Sequence, residues 1–264
     1  MDLEKILSDI NKFVVSKGDF ILRNWSKMHV DLHEDQIDVS TNFDRQLEYE
    51  FYQYAKKKYP EFGFCGEELE EYKDWKEYTW VIDPIDGTKY FAKNIPLWSS
   101  TVALVKDGEP VLGCVYIPVS KQLFYAFKEG GAYLNKQKLK KIDCNLDDTT
   151  KQIISLEVTP ELVKDPIHRT QVSKLVQHFS DKYYRVRMLG LAPLSLVWLA
   201  SGYFDLFIDV YRPKDKYVDL AAGLCIVREC GAKIVRIEIN DEYEQFLVGC
   251  EGSIENLKSI IRIS

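Results

Sequence analysis

Residues 79–83 of this 264-residue chain read Thr-Trp-Val-Ile-Asp, and the next five read Pro-Ile-Asp-Gly-Thr. This segment constrains the fold more than any other. Aromatic and β-branched residues suit a buried strand, so Asp83 is expected at a strand's carboxyl end, where open α/β sheets bind their ligands. Pro84 fixes φ and has no N–H, which lets Ile85 turn its carbonyl inward and brings Asp86 beside Asp83. Two carboxylates about 4 Å apart, at an effective dielectric near 20, repel by roughly 4 kcal/mol, enough to raise a pKa or recruit a hard cation. Oxygen-only donors favour Mg²⁺ over zinc. Gly87 allows close backbone approach to a ligand, and Thr88 is expected to open a helix whose free N–H groups and dipole receive an anion. The alternative is an ordinary Asp-Gly turn after a strand; the paired acids, the proline between them and the following threonine argue against it.

The residues from Trp80 to Tyr90 resemble the signature of the inositol monophosphatase superfamily, which are magnesium-dependent, lithium-sensitive phosphomonoesterases. Three further segments extend the resemblance over nearly the whole chain. Phe64-Cys65-Gly66-Glu67-Glu68 looks like the family's Gly-Glu-Glu loop, which by match makes Glu67 a metal ligand. Taken alone, the acidic stretch Glu67 to Glu71 reads as a solvated surface run. Val218-Asp219-Leu220-Ala221-Ala222-Gly223 is similar to the second signature, whose Asp adds a carboxylate to the metals. Independently of that match, Asp219 is a good N-cap, and the small residues after it permit close packing of a helix that Gly231 stops. Val39-Ser40-Thr41-Asn42-Phe43-Asp44 resembles the stretch before the family's second helix, where Asp44 aligns with the acid that pairs with the signature threonine. Thr41 and Asp44 also make a capping-box-like start for a helix running to about Tyr59, so both roles stay open for Asp44.

The resemblance implies a mixed α/β fold, a layered α-β-α-β-α sandwich of the inositol monophosphatase/fructose-1,6-bisphosphatase kind. It also implies two or three Mg²⁺ ions per site. Glu67, Asp83 and the Ile85 carbonyl would hold one, beside a water that Thr88, Asp44 and Glu67 orient toward phosphorus. Asp83, Asp86 and Asp219 would hold a second at the leaving alkoxide, and a weaker third would sit near Glu67 and Glu68. Gly87 and Thr88 are the implied phosphate cradle. Inositol 1-phosphate is the expected substrate, with fructose 1,6-bisphosphate as a further one, as in the archaeal members. Lys89-Tyr90 and Pro96-Leu97-Trp98 look more like the nucleotide-bisphosphatase and histidinol-phosphatase branches, so adenosine 3′,5′-bisphosphate and histidinol phosphate are the alternatives. A non-enzymatic binding protein of the same shape is another. Selectivity is expected from Gly190-Leu191-Ala192, Asp209 and the loop from Tyr211 to Lys216. Arg212 and Lys214 in that loop, with Arg187 on a neighbouring strand, read either as solvated charge or as partners for a second phosphate. A homodimer is what the family suggests.

Composition bounds the rest. A net charge of −6 argues against a nucleic-acid partner, and 46% hydrophobic residues suffice for a full core. The chain is expected to form one compact unit of two halves, 1–145 and 146–264, meeting in the polar segment Lys140 to Lys151. No run of about 20 apolar residues and no signal peptide occur, which predicts a soluble, cytoplasmic protein with no membrane partner. Six cysteines without Cys-x-x-Cys spacing predict buried, reduced thiols. The histidines, His29, His33, His168 and His178, lie outside every motif and read as surface or packing residues.

Periodicity predicts helices over residues 3–25, 43–59, 171–179 and 193–201, another from Asp219, and a last one from about Ile254. Strands are expected at 99–105 and 111–116 around a Lys106-Asp107-Gly108 turn, at 123–127 before a break at Gly130-Gly131, and at 153–158, 184–189, 204–210, 233–237 and 245–248.

Overall fold

Asp2 caps the first helix, α1 (Leu3–Asn24), by accepting the Lys5 N–H, and Ile6, Leu7, Ile10, Val14 and Ile21 bury one of its faces. The computed structural model describes residues 1–32, 39–144, 148–158 and 166–261; His33 lies outside them. Strands β1 (Val30–Leu32) and β2 (Val39–Thr41) pair antiparallel and lead into α2 (Asn42–Lys58), which opens at a capping box of Thr41 and Asp44.

Seven strands follow in spatial order identical to chain order: β3 (Gly63–Gly66), β4 (Tyr78–Asp86), β5 (Ser99–Lys106), β6 (Glu109–Ile117), β7 (Gln122–Phe127), β8 (Gly131–Leu134) and β9 (Gln137–Lys138). The first pair is parallel and the remainder form an antiparallel meander. The short helix α3 (Thr88–Ala92) interrupts it between β4 and β5. The second sheet has five strands, ordered β11 (Arg185–Arg187), β10 (Ile153–Val158), β12 (Leu206–Pro213), β14 (Tyr243–Gly249) and β13 (Lys233–Glu238). Its helices are α4 (Pro166–Lys182), α5 (Ala192–Ala200), α6 (Val218–Glu229) and α7 (Glu251–Ile261).

Three apolar clusters fix the layering. Ile10 and Val14 of α1 and Phe51 of α2 pack on Trp80, Val102 and Leu112, one face of the larger sheet. The other face, through Val81, Ala103 and Val115, meets α5 and α6, which also cover Phe207 and Phe246 of the smaller sheet. Leu175 and Phe179 of α4 and Ile254 and Leu257 of α7 close its far side over Ile154, Ile208 and Leu247. The result is the α-β-α-β-α order that the resemblance implies. The predicted close packing of the second-signature helix is visible at Gly113, where a Cβ would lie 2.4 Å from the Ala222 carbonyl oxygen. No helix among the described residues is long and apolar enough to cross a membrane.

Several boundaries differ from expectation for identifiable reasons. β4 does not stop at Asp83, because a register shift between Asp83 and Asp86 lets the strand step over Pro84 and keep pairing with β5. A similar shift between Asp209 and Arg212, with Tyr211 at φ +57°, carries β12 on to Pro213. Tyr211 and Arg212 are therefore strand residues, not loop. The N-cap of α6 lies two residues earlier than expected, at Tyr217, so Asp219 sits in the first turn of the helix. The meander does not break at Gly130-Gly131 but continues as β8 and β9.

The cysteine expectation requires correction. Cys144 and Cys250 form a disulfide with their Cα atoms 5.4 Å apart, whereas Cys65, Cys114, Cys225 and Cys230 are free and buried. The paired residues are 106 positions apart, a separation at which spacing reveals nothing.

Candidate active site

Three segments distant in sequence deliver carboxylates to one place. β4 ends its buried run with Asp83 and Asp86, the turn after β3 supplies Glu67, and the first turn of α6 supplies Asp219. Oxygens of Glu67, Asp83 and Asp219 all lie within 4.8 Å of one another. Burial, then the negative charges of Glu67, Asp86 and Asp219, push the Asp83 carboxyl well above its ordinary range. Burial pushes Asp86 up as well, reinforced by Asp219 and Glu67 and opposed by Arg212. Such a cluster is electrostatically incomplete without cations. Asp219 Oδ1 is buried and has no hydrogen-bond partner among the described residues. A set of carboxylate oxygens with a bare, buried member suits a hard divalent ion.

The signature turn is built by local bonds. Asp83 Oδ1 accepts the Ile85 N–H at 2.9 Å, which fixes the step over Pro84. The Thr88 hydroxyl donates to the Ile85 carbonyl at 2.9 Å. Gly87 sits at φ +92°, and a Cβ there would meet Leu191 Cδ2 at 2.6 Å. The positive φ makes any side chain here strained, and the Leu191 side chain packs against the turn. The Tyr90 hydroxyl secures the same junction by donating to the Leu189 carbonyl at 2.6 Å.

Asp44 lies nearby in a different role from the threonine partner that the resemblance implies. Its Oδ2 accepts the backbone N–H of Thr41 at 2.7 Å and the Thr41 hydroxyl at 2.6 Å. Burial, opposed by the Thr41 bond and assisted by Glu68 and Glu67, raises it to about 8. Of the two roles open in the sequence, the structure displays the cap, and Thr88 turns to Ile85 instead.

Two buried acids that the sequence reading passed over support the site. Glu48, fully buried on α2, accepts the N–H groups of Glu68 and Leu69, each at 2.9 Å, and so shapes the turn carrying Glu67 and Glu68. Its pKa is raised to about 7, first by burial and then by the Glu68 and Glu67 charges, against the pull of those two N–H groups. Glu157, on β10, accepts the Gly190 N–H at 2.6 Å and the hydroxyls of Ser155 and Ser195, each at 2.8 Å. A lone acid on the apolar face Phe43-Leu47-Phe51, or inside the strand Ile153 to Val158, was the signal available for each.

The expected specificity residues divide. Asp209 is buried and pairs with Arg212 Nε; burial raises its pKa and Arg212 opposes the rise. Arg212 is buried too, and its Nη1 donates to Asp219 Oδ2 at 2.8 Å. Burial works against its charge, but Asp209 and Asp219 outweigh that and hold it protonated. Lys214 turns to Glu238 at 3.1 Å, and Arg187 is exposed on the edge strand, donating to the neighbouring Val186 carbonyl at 3.2 Å. Of these four, Asp209 and Arg212 are linked to the carboxylate cluster through Asp219, and the described bonds of Lys214 and Arg187 lead elsewhere. Lys216, at the turn before α6, donates to Glu67 Oε1 at 2.6 Å.

Comparison with known proteins places the chain in a family. The model of the inositol monophosphatase family matches residues 2–261. An inositol-1-monophosphatase of Caulobacter vibrioides is 34% identical over 209 residues, covering 77% of this chain and 78% of that protein. A fructose-1,6-bisphosphatase/inositol-1-monophosphatase of Aquifex aeolicus is 29% identical over 87% of this chain and 85% of its own length. A solved IMPase/NADP phosphatase complexed with Mg²⁺ and phosphate shares the fold, with a TM-score of 0.81 at 21% identity, over 100% of this chain and 97% of that one. The chain belongs to the inositol monophosphatase family and is a phosphoric monoester hydrolase.

Proposed function

We propose that this enzyme releases phosphate from inositol 1-phosphate with Mg²⁺ held by Glu67, Asp83, Asp86, Asp219 and the Ile85 carbonyl. The observation that carries the reading is the convergence of Glu67, Asp83 and Asp219 within 4.8 Å from three separate segments, with oxygen donors only. When bound, the metal supplies a water of lowered pKa and neutralises charge on the phosphate. The rest is the work of the chain. The Thr88 hydroxyl donates its proton to a hydrogen bond with the Ile85 carbonyl, which leaves a lone pair to accept a hydrogen bond from the attacking water and aim it. Glu67 shares that task from the turn that Glu48 shapes. Gly87, bare of side chain, admits the phosphoryl group to the turn. Gly190, Leu191 and Ala192, held by Glu157 and Tyr90, wall the space for the alcohol. Asp209 acts through Arg212, by orienting Asp219.

The names of the Caulobacter and Aquifex relatives support inositol 1-phosphate as substrate and fructose 1,6-bisphosphate as the second candidate. The engagement of Arg212 and Lys214 with Asp209, Asp219 and Glu238 favours the monophosphate. Phosphate release from inositol 1-phosphate, fructose 1,6-bisphosphate, adenosine 3′,5′-bisphosphate and histidinol phosphate, with and without Mg²⁺, tests the reading. The highest kcat/KM is expected for inositol 1-phosphate, and only with the metal. Failure to turn over any of the four overturns the reading.

A further inference from the structure

The end of β12 and the turn between it and α6 each send one cation, Arg212 and Lys216, into the carboxylate cluster, and the two are held differently. Arg212 is divided between Asp209 and Asp219, its Nη1 also donates to the Lys216 carbonyl at 3.0 Å, and its side chain is only 8% exposed. That cation is a fixed strut. Lys216 reaches Glu67 from 149 positions away in sequence, on a four-carbon stem whose side chain is 37% exposed. Its ammonium lies 2.6 Å from an oxygen of a residue that also stands within 4.8 Å of Asp83 and Asp219. A divalent ion gathered by those three carboxylates would share Glu67 with a like charge in a partly desolvated place, where repulsion is weakly screened. Arg212 can stay, because Asp219 Oδ2 serves it while Oδ1 has no partner among the described residues. Lys216 has open solvent to enter.

Building on the metal reading above, we propose that Lys216 is a displaceable counter-cation that pairs with Glu67 in the metal-free enzyme and leaves as Mg²⁺ binds. It thereby sets the Mg²⁺ concentration at which the site fills. Glu67 thus has a positive partner in both states, and the cluster is spared the full repulsion of its acids before metal arrives.

Calorimetric titration of Mg²⁺ at fixed ionic strength into the wild type, K216M, K216R and K214M tests the proposal, with metal-free melting temperatures measured in parallel. K216M is expected to bind Mg²⁺ about tenfold tighter, the effect of removing one competing charge, and to melt lower than wild type when metal-free. K216R and K214M are expected to bind within about twofold of wild type; Lys214 controls for net charge, being two residues away and paired with Glu238. Unchanged or weaker binding by K216M overturns displacement, and so does equal tightening in K214M. Absence of Mg²⁺ binding by the wild type overturns the metal reading itself, and this inference with it.

Discussion

The carboxylate of Glu48 accepts the backbone N–H of Glu68 at 2.9 Å, so an acid buried in α2 holds the turn that presents Glu67. Its second oxygen takes the Leu69 N–H at the same distance. Removing the carboxylate strands the buried Leu69 donor, at roughly 1–3 kcal/mol, and the part-buried Glu68 donor at somewhat less. Glu48→Ala is expected to lower unfolding free energy by about 3 kcal/mol in urea denaturation and to weaken Mg²⁺ binding by displacing Glu67. A loss below about 0.5 kcal/mol, typical of an inert surface site, would contradict the role.

Asp86 is buried among like charges that push its carboxyl up. Asp86→Asn removes one of those charges at nearly constant shape. The variant is expected to melt higher than wild type without metal and to lose the stabilisation that Mg²⁺ gives the wild type, together with phosphate release. Differential scanning calorimetry with and without Mg²⁺ reads both changes. Near-normal metal-dependent activity would remove Asp86 from the metal site.

The raised carboxyls also set the pH dependence of the metal-free protein. Asp44 rises from 3.8 to about 8 and Glu48 from 4.5 to about 7, both mainly through burial. An acid whose folded pKa exceeds its unfolded value keeps its proton longer in the folded state. Stability therefore falls as pH climbs from the unfolded values through the folded ones, with a ceiling of about 1.4 kcal/mol per pH unit per group. Denaturation midpoints in chelator should drop between pH 5 and pH 8 and level off above, and added Mg²⁺ should flatten the fall. A midpoint that rises over this range would contradict the burial of these acids.

The disulfide gives a count. Thiol titration of the denatured protein is expected to find four groups without reductant and six after reduction, because Cys144 and Cys250 are paired and four cysteines are free. Reduction should also destabilise the fold by about 5 kcal/mol, as for closure of a loop near 100 residues. Six thiols without reductant would contradict the pairing.

What could be read from the sequence was local. Asp83, Pro84, Asp86 and Gly87 dictate their own local path, so the turn of the chain past Pro84 was legible from eleven residues, as was the Thr41–Asp44 cap from four. The layer order followed from apolar periodicity only with the help of resemblance, since periodicity alone gives elements and not their stacking. What escaped depends on contacts across long separations. Lys216 reads as one cation in a charged loop until folding sets it against Glu67, and Cys144 carries no mark of Cys250. Arg212 looked available for a phosphate because the strand was expected to end at Val210; the shift after Asp209 extends the strand and turns the guanidinium inward to two acids.

The proposed metal cage joins Glu67, Asp83 and Asp219, whose oxygens lie within 4.8 Å of one another, with Asp86 on the same strand as Asp83. Anomalous scattering from crystals soaked in Mn²⁺ as a stand-in for Mg²⁺ locates the ion directly. The expected result is a peak coordinated by oxygens of Glu67, Asp83 and Asp219. A peak elsewhere, or none in crystals of protein that is active with Mn²⁺, would contradict it.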